Sequence, residues 1–199
     1  MKVLCWVMIS ISLFARRLSL RIAHQKRFLT QIRSFASSSS SGNREVHVLV
    51  PVAHGSEEIE TVTIVDTLVR AGVTVTLAAA APSPLSSTEV VCSRGVKINA
   101  DTLIEQCEDT NWDMVVIPGG MPGAENLVAS ASVRRILERQ VAAERPLAAI
   151  CAAPAVVLAS LGHLDGKRAT CYPAPKFRDM LPPVSKEDKY CRSFPYALT

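Results

Sequence analysis

The sequence predicts an α/β domain built on a doubly wound parallel sheet with helices on both faces. Three observations carry that expectation. Nearly unbroken apolar runs of strand length recur at residues 46–53, 73–80, 114–117 and 147–150, the pattern of strands buried on both faces. Segments of helical period separate them, as right-handed crossovers require. The runs at 46–53, 114–117 and 147–150 exit directly into short segments rich in small residues, and ligands of such sheets sit at strand carboxyl ends.

The first strand (VHVLVPVA) leads to a helix whose expected N-cap is Ser56, with Glu57 and Glu58 complementing the first-turn dipole. Ile59, Val62, Val65, Leu68 and Val69 are its expected core stripe, ending at Gly72. The second strand leads into a Pro- and Ser-rich loop, 82–88. Residues 90–98 read as a β-ribbon turned at Ser93-Arg94-Gly95, with a short helix at 103–107. The strand at 114–117 runs into Pro118-Gly119-Gly120-Met121-Pro122-Gly123. A helix over 133–143 exposes Arg134, Arg135, Glu138 and Arg139. The strand at 147–150 meets Cys151 directly, and a further helix starts at Pro154, a residue suited to a first helical turn, and stops before Gly162. The segments 54–60, 118–123 and 151–154 should therefore converge at one edge of the sheet. No internal repeat is visible.

Charge is unevenly placed. The 199 residues carry a formal +4, yet positions 1–44 hold eight basic residues and no acid, leaving 14 basic against 18 acidic, a net −4, from Glu45 onward. The body lacks the positive excess that phosphate backbones require, which excludes nucleic acid as an expected partner. The early apolar run, residues 3–15, is too short for a membrane span. Residues 1–43, Arg-rich, Ser-rich and acid-free, read as an organellar targeting segment (chloroplast or mitochondrion) with a Ser-rich linker; a secretory leader and a tail with no address, leaving the protein in the cytosol, are the alternatives. Six cysteines contain no Cys-x-x-Cys pair, so neither a metal site nor a dithiol is expected. With neither a P-loop nor a G-x-G-x-x-G helix start, no nucleotide cofactor is expected either.

The chemistry concentrates at Cys151. It joins a buried strand to a helix start with small residues two places either side, Ala149 and Ala153, the steric requirement of a nucleophile elbow. The helix dipole there is expected to favour thiolate and lower the thiol pKa. The alternative is an inert cysteine at a strand end. Ala152 N–H would face an oxyanion, and Gly119-Gly120 would bring further N–H groups close because no Cβ intervenes; the plain alternative is a strand-exit turn. Of three carboxylates at the first helix start, Glu60 lies deepest and is expected to be partly buried and protonated, donating to the sulfur. His54 and His163 are the other candidates for a base, each with a bland structural reading.

The stretches His54-Gly-Ser-Glu-Glu-Ile-Glu60-Thr, Val65-Asp66, Arg70-Ala-Gly72, Cys92-Ser-Arg94, residues 113–120, Gly123-Ala124 and Ala148-Ala-Ile-Cys151-Ala-Ala-Pro154 make the chain resemble the ThiJ/PfpI family (class I glutamine-amidotransferase-like), most closely its DJ-one branch in plant-type form. The resemblance covers roughly residues 46–175. It implies a flavodoxin-like fold, a cofactor-free homodimer with Glu58, Arg94 and the first helix near the interface, Cys151 as nucleophile and oxidisable thiol, Glu60 as its acid, and Gly119, Gly120 and Ala152 as the oxyanion pocket. It further implies conversion of small 2-oxoaldehydes, methylglyoxal or glyoxal, to hydroxy acids, with deglycase and redox-chaperone roles also attributed to the family.

Two departures accompany it. Tyr172 stands where the family often has histidine, leaving proton transfer to Glu60. After Met180 the pattern ends, so the domain is expected to span 44–180, incomplete at its C-terminus, with a divergent tail, 181–199. An apolar sheet face would then be uncovered, and a redox sensor or an inactive, poorly folded form are the competing expectations.

Overall fold

The computed structural model describes residues 45–84, 86–183 and the backbone of 196–198; the expected targeting segment and most of the divergent tail lie outside them. A six-stranded sheet has the order β5-β2-β1-β6-β7-β8. Its strands are β1 (His47–Val52), β2 (Thr74–Ala79), β5 (Thr102–Leu103), β6 (Met114–Ile117), β7 (Leu147–Ile150) and β8 (Tyr196–Leu198). All pair in parallel except β8, which runs antiparallel along β7 with Ala149 opposite Ala197. The doubly wound α/β class is thus the observed one. The tail contributes a short edge strand to it, which uses the backbone groups β7 would otherwise present at an open edge.

Chain direction explains where a site can form. From β1 the chain goes to β2 on one side, and β6 takes the other side of β1, so the sequence order reverses between β1 and β6 and opens a crevice at their carboxyl ends. Alternation along each strand feeds two cores. Leu49, Val115, Ile117, Leu147 and Ala149 face one layer, packed with α2 (Gly123–Ala129), α3 (Ala131–Ala142), the segment Pro154–Ala159 and α4 (Pro175–Arg178). Val48, Val50, Val52, Val116 and Ala148 face the other, covered by α1 (Glu58–Arg70) and the antiparallel hairpin β3 (Glu89–Val91) and β4 (Lys97–Asn99).

Four local expectations are corrected. Glu57, not Ser56, caps α1: its carboxylate accepts the Glu60 N–H at 2.9 Å. The buried Ser56 hydroxyl instead turns back to accept the Ala53 N–H at 3.0 Å, tying the β1 exit. The inner stripe of α1 is Thr61, Ile64, Val65 and Leu68, while Ile59, Val62 and Val69 are 72%, 55% and 55% exposed; both faces carry β-branched residues, so periodicity alone does not orient the helix. The segment after Cys151, Pro154–Ala159, is π-helical. Pro154 cannot donate a backbone hydrogen bond, and the Ser160 hydroxyl donates to the carbonyls of Val156 and Val157 at 2.6 and 3.0 Å, loosening the regular ladder. Finally, the 103–107 helix is 3-10, Ile104–Cys107. α2 and the Ser130 cap that starts α3 at Ala131 occupy a stretch, 124–132, to which the sequence alone assigns no element.

Candidate active site

Three strand exits meet at the crevice. At the end of β7, Cys151 adopts φ 59°, the left-handed region that side-chain-bearing residues seldom occupy. Small neighbours permit it: Ala149, Ala152 and Ala153 are all buried, and a bulkier residue at these positions would obstruct the turn. The thiol is about half-buried and receives the backbone N–H groups of Gly120 and Ala152.

Glu60 projects from the first turn of α1 to share a hydrogen bond with the Cys151 thiol. Its carboxylate is oriented from below: Oε2 accepts the Gly119 N–H at 2.8 Å. In return the Gly119 carbonyl accepts the Glu57 N–H at 3.0 Å, so the helix start and the glycine loop hold each other in both directions. This redistributes the expected oxyanion donors. Gly119 spends its N–H on Glu60, and the pocket at sulfur is made by Gly120 and Ala152.

The glycines are dictated by space. A Cβ on Gly119 would lie 2.7 Å from the Cys151 Cβ and 2.8 Å from Glu60 Oε2. On Gly120, at φ 90°, it would lie 2.4 Å from the Glu57 nitrogen. Only glycine allows these backbones to touch.

Electrostatics correct one expectation. Burial raises the Glu60 carboxyl above its ordinary value, the Gly119 and Cys151 hydrogen bonds oppose this, and the Glu57 charge adds to it. The thiol, expected to be acidified by the helix dipole, is pushed up to about 11 by burial, then by the Glu60 charge and hydrogen bond, against the two N–H groups. Burial wins because the helix behind Cys151 is one irregular turn of six residues, too little aligned backbone to offset it.

Of the other candidates, His54 is exposed and its Nδ1 accepts the Val91 N–H at 3.0 Å. His163 lies past the far end of the Pro154–Ala159 segment with Glu138 and Lys167 as its charged neighbours, burial lowering its pKa; neither histidine joins Cys151. Tyr172 does approach: its N–H donates to the Cys151 carbonyl at 2.6 Å, and its half-exposed ring meets Phe177 edge-on at 6.1 Å. The most buried of the three carboxylates is Glu58, not Glu60. Burial pushes Glu58 up, but the Ser93 hydroxyl and the backbone of Arg94 and Val96, with its own N–H, hold it below the ordinary value. The sequence missed Glu57 as organiser, although a carboxylate three residues before Glu60 is a capping-box spacing. Among the described residues no cluster could hold a metal ion, no helix is long and apolar enough to cross a membrane, and Cys92, Cys107, Cys151 and Cys171 are unbridged.

Comparison with known proteins shows what the chain is similar to. The sequence profile of the DJ-1/PfpI family matches residues 46–192. Protein DJ-1 homolog B of Arabidopsis thaliana is 45% identical over 127 residues, covering 64% of this chain and 28% of that protein, so the chain spans less than a third of that relative's length. The glutathione-independent glyoxalase DJR-1.2 of Caenorhabditis elegans is 33% identical over 125 residues, 63% of this chain and 62% of that protein. Among solved structures, oxidized DJ-1 of Toxoplasma gondii superposes with a TM-score of 0.66 at 45% identity, over 72% of this chain and 74% of that one.

Proposed function

Because the chain belongs to the DJ-1/PfpI family, we propose that it is a cofactor-free glyoxalase acting on small 2-oxoaldehydes such as methylglyoxal and glyoxal. The observation that supports this reading is the left-handed Cys151 sharing a proton with Glu60 beneath two backbone N–H groups. The sulfur adds to the aldehyde carbon, its proton passing to the carbonyl oxygen, and Gly120 and Ala152 stabilise the developing oxyanion. Glu60, as the carboxylate, then takes the proton from the former aldehyde carbon and returns it to the neighbouring carbon, while the hydroxyl proton passes from the first oxygen to the second, turning the thiohemiacetal into a 2-hydroxy thioester. Water cleaves that thioester, releasing the hydroxy acid and the thiol. The C. elegans glyoxalase at 33% identity supports the reaction class.

In the full chain, Cys151→Ala is expected to abolish hydroxy-acid formation from methylglyoxal, followed by NMR; retained turnover would refute the mechanism. Tyr172→His, which supplies the imidazole the family often has at this position, is expected to raise kcat if proton transfer limits the rate.

One observation favours a second reading. The N–H groups of Gly120 and Ala152 directed at sulfur would equally hold sulfinate oxygens, making Cys151 a redox sensor. Peroxide titration with intact-mass readout separates the two: a stable gain of two oxygens on Cys151 supports sensing. For the assembly, the outward Ile59, Val62 and Val69 of α1 support a homodimer formed through that helix, and Val62→Lys is expected to shift sedimentation to monomer.

A further inference from the structure

We propose that His54 is a positioning residue that fixes the glycine loop of this site through a clamp on β3, a role that rests on the reading of Cys151 and Glu60 as the reacting pair. The clamp closes on one residue. His54 Nδ1 accepts the Val91 N–H at 3.0 Å, and the adjacent Gly55 N–H donates to the Val91 carbonyl at 2.9 Å. Both backbone polar groups of Val91 are satisfied by the β1 exit, as a neighbouring strand would satisfy them. A third bond, Ser93 N–H to the Ser56 carbonyl at 2.8 Å, continues the seam. On the other side the Asn126 side chain of α2 donates to the His54 carbonyl at 2.9 Å. One exposed residue thus links the hairpin, the β1 exit and α2.

The seam has no slack between it and the chemistry. A Cβ on Gly55 would lie 2.5 Å from Pro122 Cδ, and one on Gly123 would lie 2.3 Å from the Ser56 nitrogen. The turn 54–57 and the loop 119–123 are therefore in direct backbone contact, and movement of one displaces the other. Gly119 in that loop orients Glu60, and Gly120 addresses the sulfur. The donor Val91 N–H also decides the ring's state: Nδ1 must be a bare acceptor, so the proton sits on Nε2. What the site requires at position 54 is an acceptor at the δ1 position, with no need for an imidazole that exchanges protons.

That distinction gives the test. In the full chain, His54→Asn places an amide oxygen where Nδ1 stood, His54→Gln places it one bond too far, and His54→Ala removes it. The alkylation midpoint of Cys151, read peptide by peptide against Cys107 and Cys171, is measured beside kcat and KM for methylglyoxal. Loosening the loop admits water to the thiol, so His54→Ala and His54→Gln are expected to lower the Cys151 midpoint by about one pH unit and kcat by about tenfold with KM little changed, while His54→Asn keeps both. Equal behaviour of all three variants overturns the proposal, as does a matching fall at Cys107 and Cys171, which would report general loosening. If the midpoints take the expected order but no variant, nor the unmodified chain, forms hydroxy acid, positioning stands and the reaction assignment falls.

Discussion

The carboxyl ends of β1 and β7 both turn a buried strand into a helix, and they do so by opposite means. At β1 the bend is taken by Gly55 at φ 83°, the Ser56 hydroxyl ties the exit, and the Glu57 side chain caps a regular helix of 13 residues. At β7 the bend falls on Cys151 at φ 59°, and the helix beyond it is a single π-helical stretch that no side chain caps. The first junction is relaxed and saturated with hydrogen bonds. The second stores strain on the residue proposed as the nucleophile, and the first holds it there. A reactive group in an unfavourable backbone state persists only where its surroundings over-determine it.

The largest effect should come from breaking the contact between the two junctions. Gly120→Ala adds a Cβ 2.4 Å from the Glu57 nitrogen at φ 90°, and is expected to destabilise by about 3 kcal/mol or more in urea unfolding. Gly95→Ala is the control, since it has the same left-handed strain, φ 88°, but nothing within 4 Å; it should cost only about 1 kcal/mol. Equal losses would mean that strain alone, not interlocking, explains the glycines.

Next in size is the electrostatic link. Glu60→Gln removes the charge that raises Cys151, so the Cys151 alkylation midpoint should fall from about 11 toward its ordinary 9.0 without reaching it, because burial remains the main cause. Stability carries the same signature. Both groups bind protons more tightly in the fold, so the stability they lend is complete below their ordinary values, 4.5 for Glu60 and 9.0 for Cys151. It is lost as pH rises through the folded values, for Cys151 between about 9 and about 11. Cys107 and Cys171, also pushed up to about 11 by burial, lose stability over the same range. Cys151→Ser should therefore shallow the alkaline limb of thermal unfolding without removing it.

The smallest effect isolates the strain at the elbow. Cys151→Gly and Cys151→Ala both remove the sulfur, but glycine accepts φ 59° freely, so the glycine variant should be the more stable by about 1 kcal/mol. The reverse order in chemical denaturation would remove strain from the account of this junction.

How much of this the sequence discloses depends on the range of the interaction. Strands β6 and β7 match their apolar runs residue for residue, and β1 and β2 lie one residue inside theirs, because burial on both faces leaves a continuous local pattern. Cys151, Glu60 and Gly120 are legible for a related reason: small residues around a strand end and paired glycines are local solutions to close approach. The orientation of α1 is not local. Ile59, Val62 and Val69 read as core but face outward, while Thr61 and the Glu58 carboxylate turn in, because the β3–β4 hairpin supplies Ser93 and Arg94 as partners for the buried charge. The thiol pKa fails for the same cause: the sequence shows a helix start, but not the burial that outweighs it. Gly119 as a donor to Glu60, not to an oxyanion, needs the three-dimensional loop to be seen.

The interlocked glycines also limit how the pocket can change. A wall built from Gly119 and Gly120 has no side chains to trim, so substitution there can fill the crevice and never enlarge it. Room for a bulkier aldehyde has to come from a residue that carries a side chain, and Tyr172, whose N–H donates to the Cys151 carbonyl, is one whose ring stands half-exposed against Phe177 and can be shortened with the backbone untouched. Directed evolution toward larger substrates should accordingly collect its gains at Tyr172 and leave the glycine loop unaltered.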